Sequence, residues 1–183
     1  MGTQTRQGRR RAGQDAPVRA ALDALRRIVQ GIRLSDARAE RHTGLSGAQL
    51  FVLQQLADQP AQSLNELALR TRTHQSSVST VVTRLVGRGL VSRRRADDDG
   101  RRLVLELTAA GRELLTGAPE TAQTRLIAAL ERLPRSELAA LAANLDGLVT
   151  ALGMEAGPAP LFFESPEEPG RSGRSGRSGR SGR

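Results

Sequence analysis

Between Arg70 and Arg102 the chain places nine arginines and only three acids, Asp97, Asp98 and Asp99, a net charge of +6. The rest of the middle, residues 17–156, then carries −2. A solvated surface seldom concentrates cations in this way, whereas neutralising a row of phosphates requires it. The same stretch opens on a polar run, Thr73-His74-Gln75-Ser76-Ser77-Val78-Ser79-Thr80, followed by Thr83-Arg84. If Val78, Val81, Val82 and Leu85 face a core, then Gln75, Ser76, Ser79, Thr80, Thr83 and Arg84 project from the opposite face. Glutamine can make a paired contact with adenine, and serine or threonine can contact either a base or a phosphate. Hydroxyls at a helix start also serve as caps. Four of them in five positions, Ser76, Ser77, Ser79 and Thr80, exceed what capping needs.

Downstream, Arg94, Arg95, Arg101 and Arg102 flank a turn. An arginine carried on a hairpin tip can enter a narrow minor groove, where the negative potential is enhanced. Asp99 stands two residues before Arg101 and can hold its guanidinium by paired hydrogen bonds. The bland alternative is an exposed pair worth little, and the position at the tip favours the functional reading.

Other chemistries find little support. There is no nucleophile elbow, no Gly-rich phosphate loop and no cluster of metal ligands, so neither an enzyme nor a bound metal or cofactor is expected. The two histidines, His42 and His74, are far apart, and Asp97-Asp98-Asp99 lacks the glycine and following glutamate of a calcium loop. Cysteine is absent, which excludes disulfides, thiolate zinc sites and thiol redox sensing. No apolar run approaches the roughly 20 residues that span a bilayer, and no signal-like segment opens the chain. A cytoplasmic, basic protein with a polyanionic partner is expected; all 28 cations are arginine and the net charge is +9.

The elements that must position these residues are mostly helical. Val18, Leu22, Leu25, Val29 and Ile32 fall four, three, four and three apart, a narrow apolar seam. Leu138, Leu141, Leu145, Leu148 and Leu152 repeat it near the other end. Such seams serve either an internal core or a dimer interface, and Leu34 and Val149 add apolar surface in favour of the second. Between them, Ser46-Gly47-Ala48-Gln49 and Ser63-Leu64-Asn65-Glu66 are capping boxes opening helices. A third helix begins near Thr73–Gln75 and ends at Gly89. Leu90–Arg95 and Leu103–Leu107 read as paired strands, and Thr108 caps a long helix to about Arg132, bent near Gly117 and Pro119. Helix, short helix, helix, hairpin is the order of a winged helix-turn-helix. The fold class expected is mainly α with a small β-wing. Residues 1–16 and 157–183 are poor in large apolar side chains and are expected to be disordered. The latter ends in an Arg-Ser-Gly repeat (Arg171, Arg174, Arg177, Arg180, Arg183) that is either a solubilising linker or a nucleic-acid-clinging tail, the inert reading being favoured.

Three stretches carry a resemblance. Leu45-Ser46-Gly47-Ala48-Gln49-Leu50-Phe51-Val52-Leu53, the run from Ser76-Ser77-Val78-Ser79 through Arg84-Leu85-Val86-Gly87-Arg88-Gly89-Leu90-Val91, and Asp99-Gly100-Arg101 through Leu107-Thr108-Ala109-Ala110-Gly111 resemble the MarR family of bacterial transcriptional regulators. The likeness covers about residues 17–153. Gly100 departs from the polar or basic residue common there. The resemblance implies a homodimer whose first and last helices (17–45 and 109–153) intertwine through Val18, Leu22, Leu25, Val29, Leu138, Leu141, Leu145, Leu148 and Leu152. It implies a winged module over 46–108 reading an inverted repeat in double-stranded DNA, with Gln75, Ser76, Ser77, Ser79, Thr80 and Arg84 on the recognition helix. Asp99 and Arg101 map to the wing. It further implies a repressor responsive to a small aromatic or phenolic acid held between the two layers, where Arg38, Arg41, His42 and Phe51 are candidate lining. The alternative is an architectural winged helix that coats DNA without one operator, distinguished by the affinity ratio for a palindromic site over random duplex.

Overall fold

The structure, a computed structural model, describes residues 4–95, 103–154, 157 and 159–162. Its first helix, α1 (Gln4–Thr43), is 40 residues long and begins inside the segment expected to be a disordered arm. The correction has a local cause: arginine, glutamine and alanine dominate that segment and favour helix. Pro17 lies within α1, and lacking an N–H it leaves the carbonyl four residues earlier without its helical donor. The helix stops at Gly44, whose φ of +65° suits a residue without a Cβ.

Helix α2 (Gly47–Asp58) opens on the expected capping box. Ser46 Oγ accepts from Gln49 N and Gln49 Oε1 accepts from Ser46 N. Asp36 on α1 accepts from Gly47 N and locks the corner between the two helices. The helix is the centre of the core, with Leu50, Phe51, Val52, Leu53 and Leu56 all buried. Helix α3 (Leu64–Thr71) is capped by Ser63, but its box is not reciprocal: Glu66 accepts from Gln62 N at 2.7 Å, one residue upstream of the cap. A tight turn through Arg72 leads to α4 (Gln75–Gly87). Among the described residues Arg72 is the one non-glycine with positive φ, +53°.

Strands β1 (Val91–Arg95) and β2 (Leu103–Leu107) pair antiparallel, Val91 opposite Leu107 and Arg93 opposite Leu105. Ala61 bridges the outer edge of β2 through both of its backbone groups, 3.0 and 2.8 Å from Leu105. The helix expected from Thr108 to Arg132 is instead two, α5 (Ala109–Leu115) and α6 (Ala122–Glu131). Gly117 at φ +73° and Pro119 end the first, and Thr121 caps the second. Helix α7 (Arg135–Ala151) follows, with no buried residue.

One buried cluster joins α2, α3, α4 and the hairpin to the carboxyl end of α1. The chain then returns beyond α7: Leu161, 3% exposed, belongs to this cluster. The folded unit therefore extends past residue 156, the boundary expected from composition, because one leucine among prolines and glycines is enough to dock. Residues 163–183, with the Arg-Ser-Gly repeat, lie outside the described residues. No helix among the described residues is long and apolar enough to cross a membrane.

The two seams divide from the core. Val18, Leu22, Val29, Leu141, Leu145, Leu148 and Leu152 are exposed on the protomer, and Leu25 and Leu138 are half-buried. Only Ile32 of the first seam is buried. The internal-core reading therefore fails for these positions.

Candidate nucleic-acid interface

Helix α4 divides as its apolar period requires. Val78, Val81, Val82 and Leu85 are buried against α2 and α3, while Gln75, Ser76 and Thr83 are exposed. Ser79, Thr80 and Arg84 are half-buried at the edges of the outer face. Ser77 is a correction: it is 7% exposed and belongs to the inner face with Val78 and Val81, out of reach of a base or a phosphate. The cause is angular, since Ser77, Val78, Val81 and Val82 occupy one stripe of a 3.6-residue helix.

The hydroxyls are not idle. Thr80 Oγ1 donates to the Ser76 carbonyl at 3.2 Å, and Thr83 Oγ1 donates to the Ser79 carbonyl at 2.8 Å. A hydroxyl whose proton is so engaged offers lone pairs only. That suits an amino donor on adenine or cytosine and not a phosphate, which has only acceptors.

Next to α4 the hairpin presents its arginines. Arg93 Nη2 donates to Thr83 Oγ1 at 3.0 Å, linking β1 to α4. Arg94 is exposed and paired with Glu106 at 3.1 Å, a diagonal cross-strand neighbour. Arg95 closes β1. Asp99, Arg101 and Arg102, the expected wing tip, lie outside the described residues.

Three arginines of the cationic run have another task. Arg70 donates to the carbonyls of Gln55 and Gln59 at the end of α2, 3.2 and 2.6 Å away, and lies 3.3 Å from Glu66. A cation there satisfies carbonyls that the helix leaves without partners. Arg88 donates to the Gly44 carbonyl at 2.8 Å and ties the end of α4 to the α1–α2 corner. Arg72, just before α4, pairs with Glu131 at the end of α6. Part of the run is thus scaffold. Charge counting cannot show which part, because carbonyl acceptors come from distant parts of the chain.

Arg93 is absent from the residues that sequence reasoning selects. A signal for it exists: strand alternation puts residue 93 on the same face as the apolar Val91. Arg38, Arg41 and His42 are exposed, and Phe51 is buried in the core, so the four do not gather into one site. A cleft of about 470 Å³ lies elsewhere, between α1 and α6, lined by Arg27, Arg125, Arg132 and Glu120 together with Ile28, Ile32 and Leu126.

A model of the MarR family matches residues 43–102, from the α1–α2 corner into the wing. HTH-type transcriptional regulators of Mycobacterium bovis and Mycobacterium tuberculosis are each 30% identical over 123 residues, 63% of this chain and 86% of theirs. A similar regulator of Mycobacterium leprae is 29% identical over 122 residues, 65% of this chain and 82% of its own. Among solved structures, a Streptomyces coelicolor MarR-family regulator in complex with DNA is 22% identical, covering 81% of this chain and 92% of that one, with a TM-score of 0.48. A probable transcriptional regulator from Pseudomonas aeruginosa is 32% identical, covering 70% and 93%, with a TM-score of 0.45. With a polar-faced α4 set beside an arginine-bearing hairpin, and relatives matched over most of their length, the chain belongs to the MarR family of DNA-binding transcriptional regulators.

Proposed function

We propose that the protein is a ligand-responsive repressor that binds an inverted repeat as a homodimer, one half-site per winged module. The observation that carries this is the outer face of α4, where Gln75 and Ser76 are exposed while Val78, Val82 and Leu85 are buried beneath. Gln75, Ser76, Ser79 and Thr80 read base edges in the major groove, with Arg84 and Thr83 along the helix edge. Arg94, Arg95, Arg101 and Arg102 neutralise phosphates on the wing side, and Asp99 steadies Arg101 for entry into the minor groove. Helices α1, α5, α6 and α7 form the dimer layer, and the exposed seams of α1 and α7 supply its apolar contact. A regulator that reads duplex DNA works in the cytoplasm of a bacterium, beside its operator.

The cleft between α1 and α6 suits a small aromatic carboxylate. Its guanidiniums pair with the acid, and Ile28, Ile32 and Leu126 take the ring. Binding there shifts the DNA-competent state only by the difference in ligand affinity between the two shapes. Such a ligand is an effector and not a substrate.

Gln75→Ala tests the reading face. A lost paired contact to a base is worth roughly 1–3 kcal/mol, so the affinity ratio of operator over scrambled duplex falls about 5- to 150-fold. Affinity for scrambled duplex stays within about twofold, because phosphate contacts remain. An unchanged ratio in a fluorescence anisotropy titration removes α4 from the base-reading role.

A further inference from the structure

A side-chain hydrogen bond joins the wing root to the recognition helix, and neither the polar face of α4 nor the count of cations accounts for it. Arg93 stands two residues after buried Val91 and directly opposite fully buried Leu105. Strand alternation puts it on their side of the ribbon, while Arg94 and Glu106 share the other. The side chain reaches α4, where Nη2 donates to Thr83 Oγ1 at 3.0 Å and that hydroxyl donates on to the Ser79 carbonyl at 2.8 Å. Thr83 Oγ1 is therefore engaged as both donor and acceptor, with one lone pair left over. A guanidinium carries five N–H donors in a planar fork, of which this contact uses one. Arg93 is exposed, so the remaining edge of the fork faces solvent where β1 and α4 converge.

We propose that Arg93 is a positioning residue of the DNA surface. Anchored on Thr83, it fixes the wing against the recognition helix and presents its other donors to a backbone phosphate between the two grooves they enter. The role rests on the reading of α4 and the wing as the DNA surface. It assigns Thr83 to holding Arg93. Pre-holding matters because a free arginine must give up rotamer freedom on reaching a phosphate, and a planar fork already fixed at one corner gives up less.

The test uses the full chain, a duplex enriched from a random pool by the wild-type protein, and a scrambled duplex of equal length, titrated across a salt series. Arg93→Gln removes a phosphate contact, so the slope of log affinity against log salt becomes shallower by about 0.9 per protomer. Thr83→Val keeps the shape and the charge but loses the anchor. Its slope is unchanged, while the enriched-over-scrambled affinity ratio falls about fivefold as the wing loses its fixed angle. Thr83→Ser, which keeps the hydroxyl, retains the wild-type ratio. Arg93→Gln breaks the same contact, so its ratio also falls about fivefold, and in the double variant the two losses in ratio do not add. An unchanged slope for Arg93→Gln, an unchanged ratio for Thr83→Val, or additive losses overturns the role. Gln75→Ala measured alongside separates the failures. If it lowers the ratio while the Arg93 and Thr83 variants are silent, only the positioning role falls; if it too is silent, the DNA surface and the role fall together.

Discussion

Replacing Leu141 and Leu145 together by aspartate yields a monomer at concentrations where the wild-type chain sediments as a dimer. In the protomer these side chains are 36% and 45% exposed, and α7 has no buried residue, so among the described residues none buries its seam. A dimer would bury them, and an unpaired carboxylate taken from water then costs several kcal/mol each. The core cluster around Leu50, Phe51 and Leu85 contains no α7 residue, so the winged module keeps its helical circular dichroism. Affinity for an inverted repeat falls by about 10² or more, since two linked half-sites lose their mutual effective concentration. Sedimentation equilibrium and a DNA titration read both effects. A variant that remains dimeric would put the interface elsewhere.

The second large effect is at Gly111, in the first turn of α5. Thr108 N donates to the Leu90 carbonyl at 3.1 Å, and Thr108 Oγ1 donates to the Gly89 carbonyl at 2.7 Å. The start of α5 is thereby docked on the corner between α4 and β1. A Cβ at Gly111 would meet the Leu90 carbonyl oxygen far inside van der Waals contact, and a backbone atom cannot rotate away. Gly111→Ala is expected to cost about 3 kcal/mol or more, which lowers Tm by roughly 6–12 °C in a chain of this size. Gly87, near the end of α4, has nothing within 4 Å of an added Cβ. Gly87→Ala is the control, and its stability should hold or rise by up to about 1 kcal/mol. Equal melting temperatures for the two variants would contradict the docking described for α5.

The corner at Gly111 joins features that are legible in the sequence to others that are not. Ser46, Gly89 and Thr108 announce helix ends because caps act within four residues, and the buried stripe Val78, Val81, Val82 and Leu85 follows from one helical period. These are local rules, and the helix-turn-helix and hairpin order rests on them. Ser77 misleads because its hydroxyl resembles its neighbours', while its angle on the helix puts it inside. Arg70, Arg72 and Arg88 resemble phosphate ligands because their partners, the carbonyls of Gln55, Gln59 and Gly44 and the carboxylate of Glu131, are distant in sequence. Leu161 gives no signal either, since the three apolar residues from 161 to 163, after a run of glycine and proline, are too short a stretch to show a period. The break between α5 and α6 is visible as Gly117 and Pro119 but reads as a bend, because neither residue alone states whether a helix resumes in line.

The most direct measurement is selection of duplexes from a random pool by the full chain, followed by hydroxyl-radical footprinting on the enriched sequence. Two recognition helices held by one dimer layer should enrich an inverted repeat with half-site centres about one helical turn apart, roughly 10–10.5 base pairs. Protection should fall in two separate blocks related by that symmetry. A pool that enriches no sequence, or protection running unbroken along any duplex, would contradict the paired reading heads.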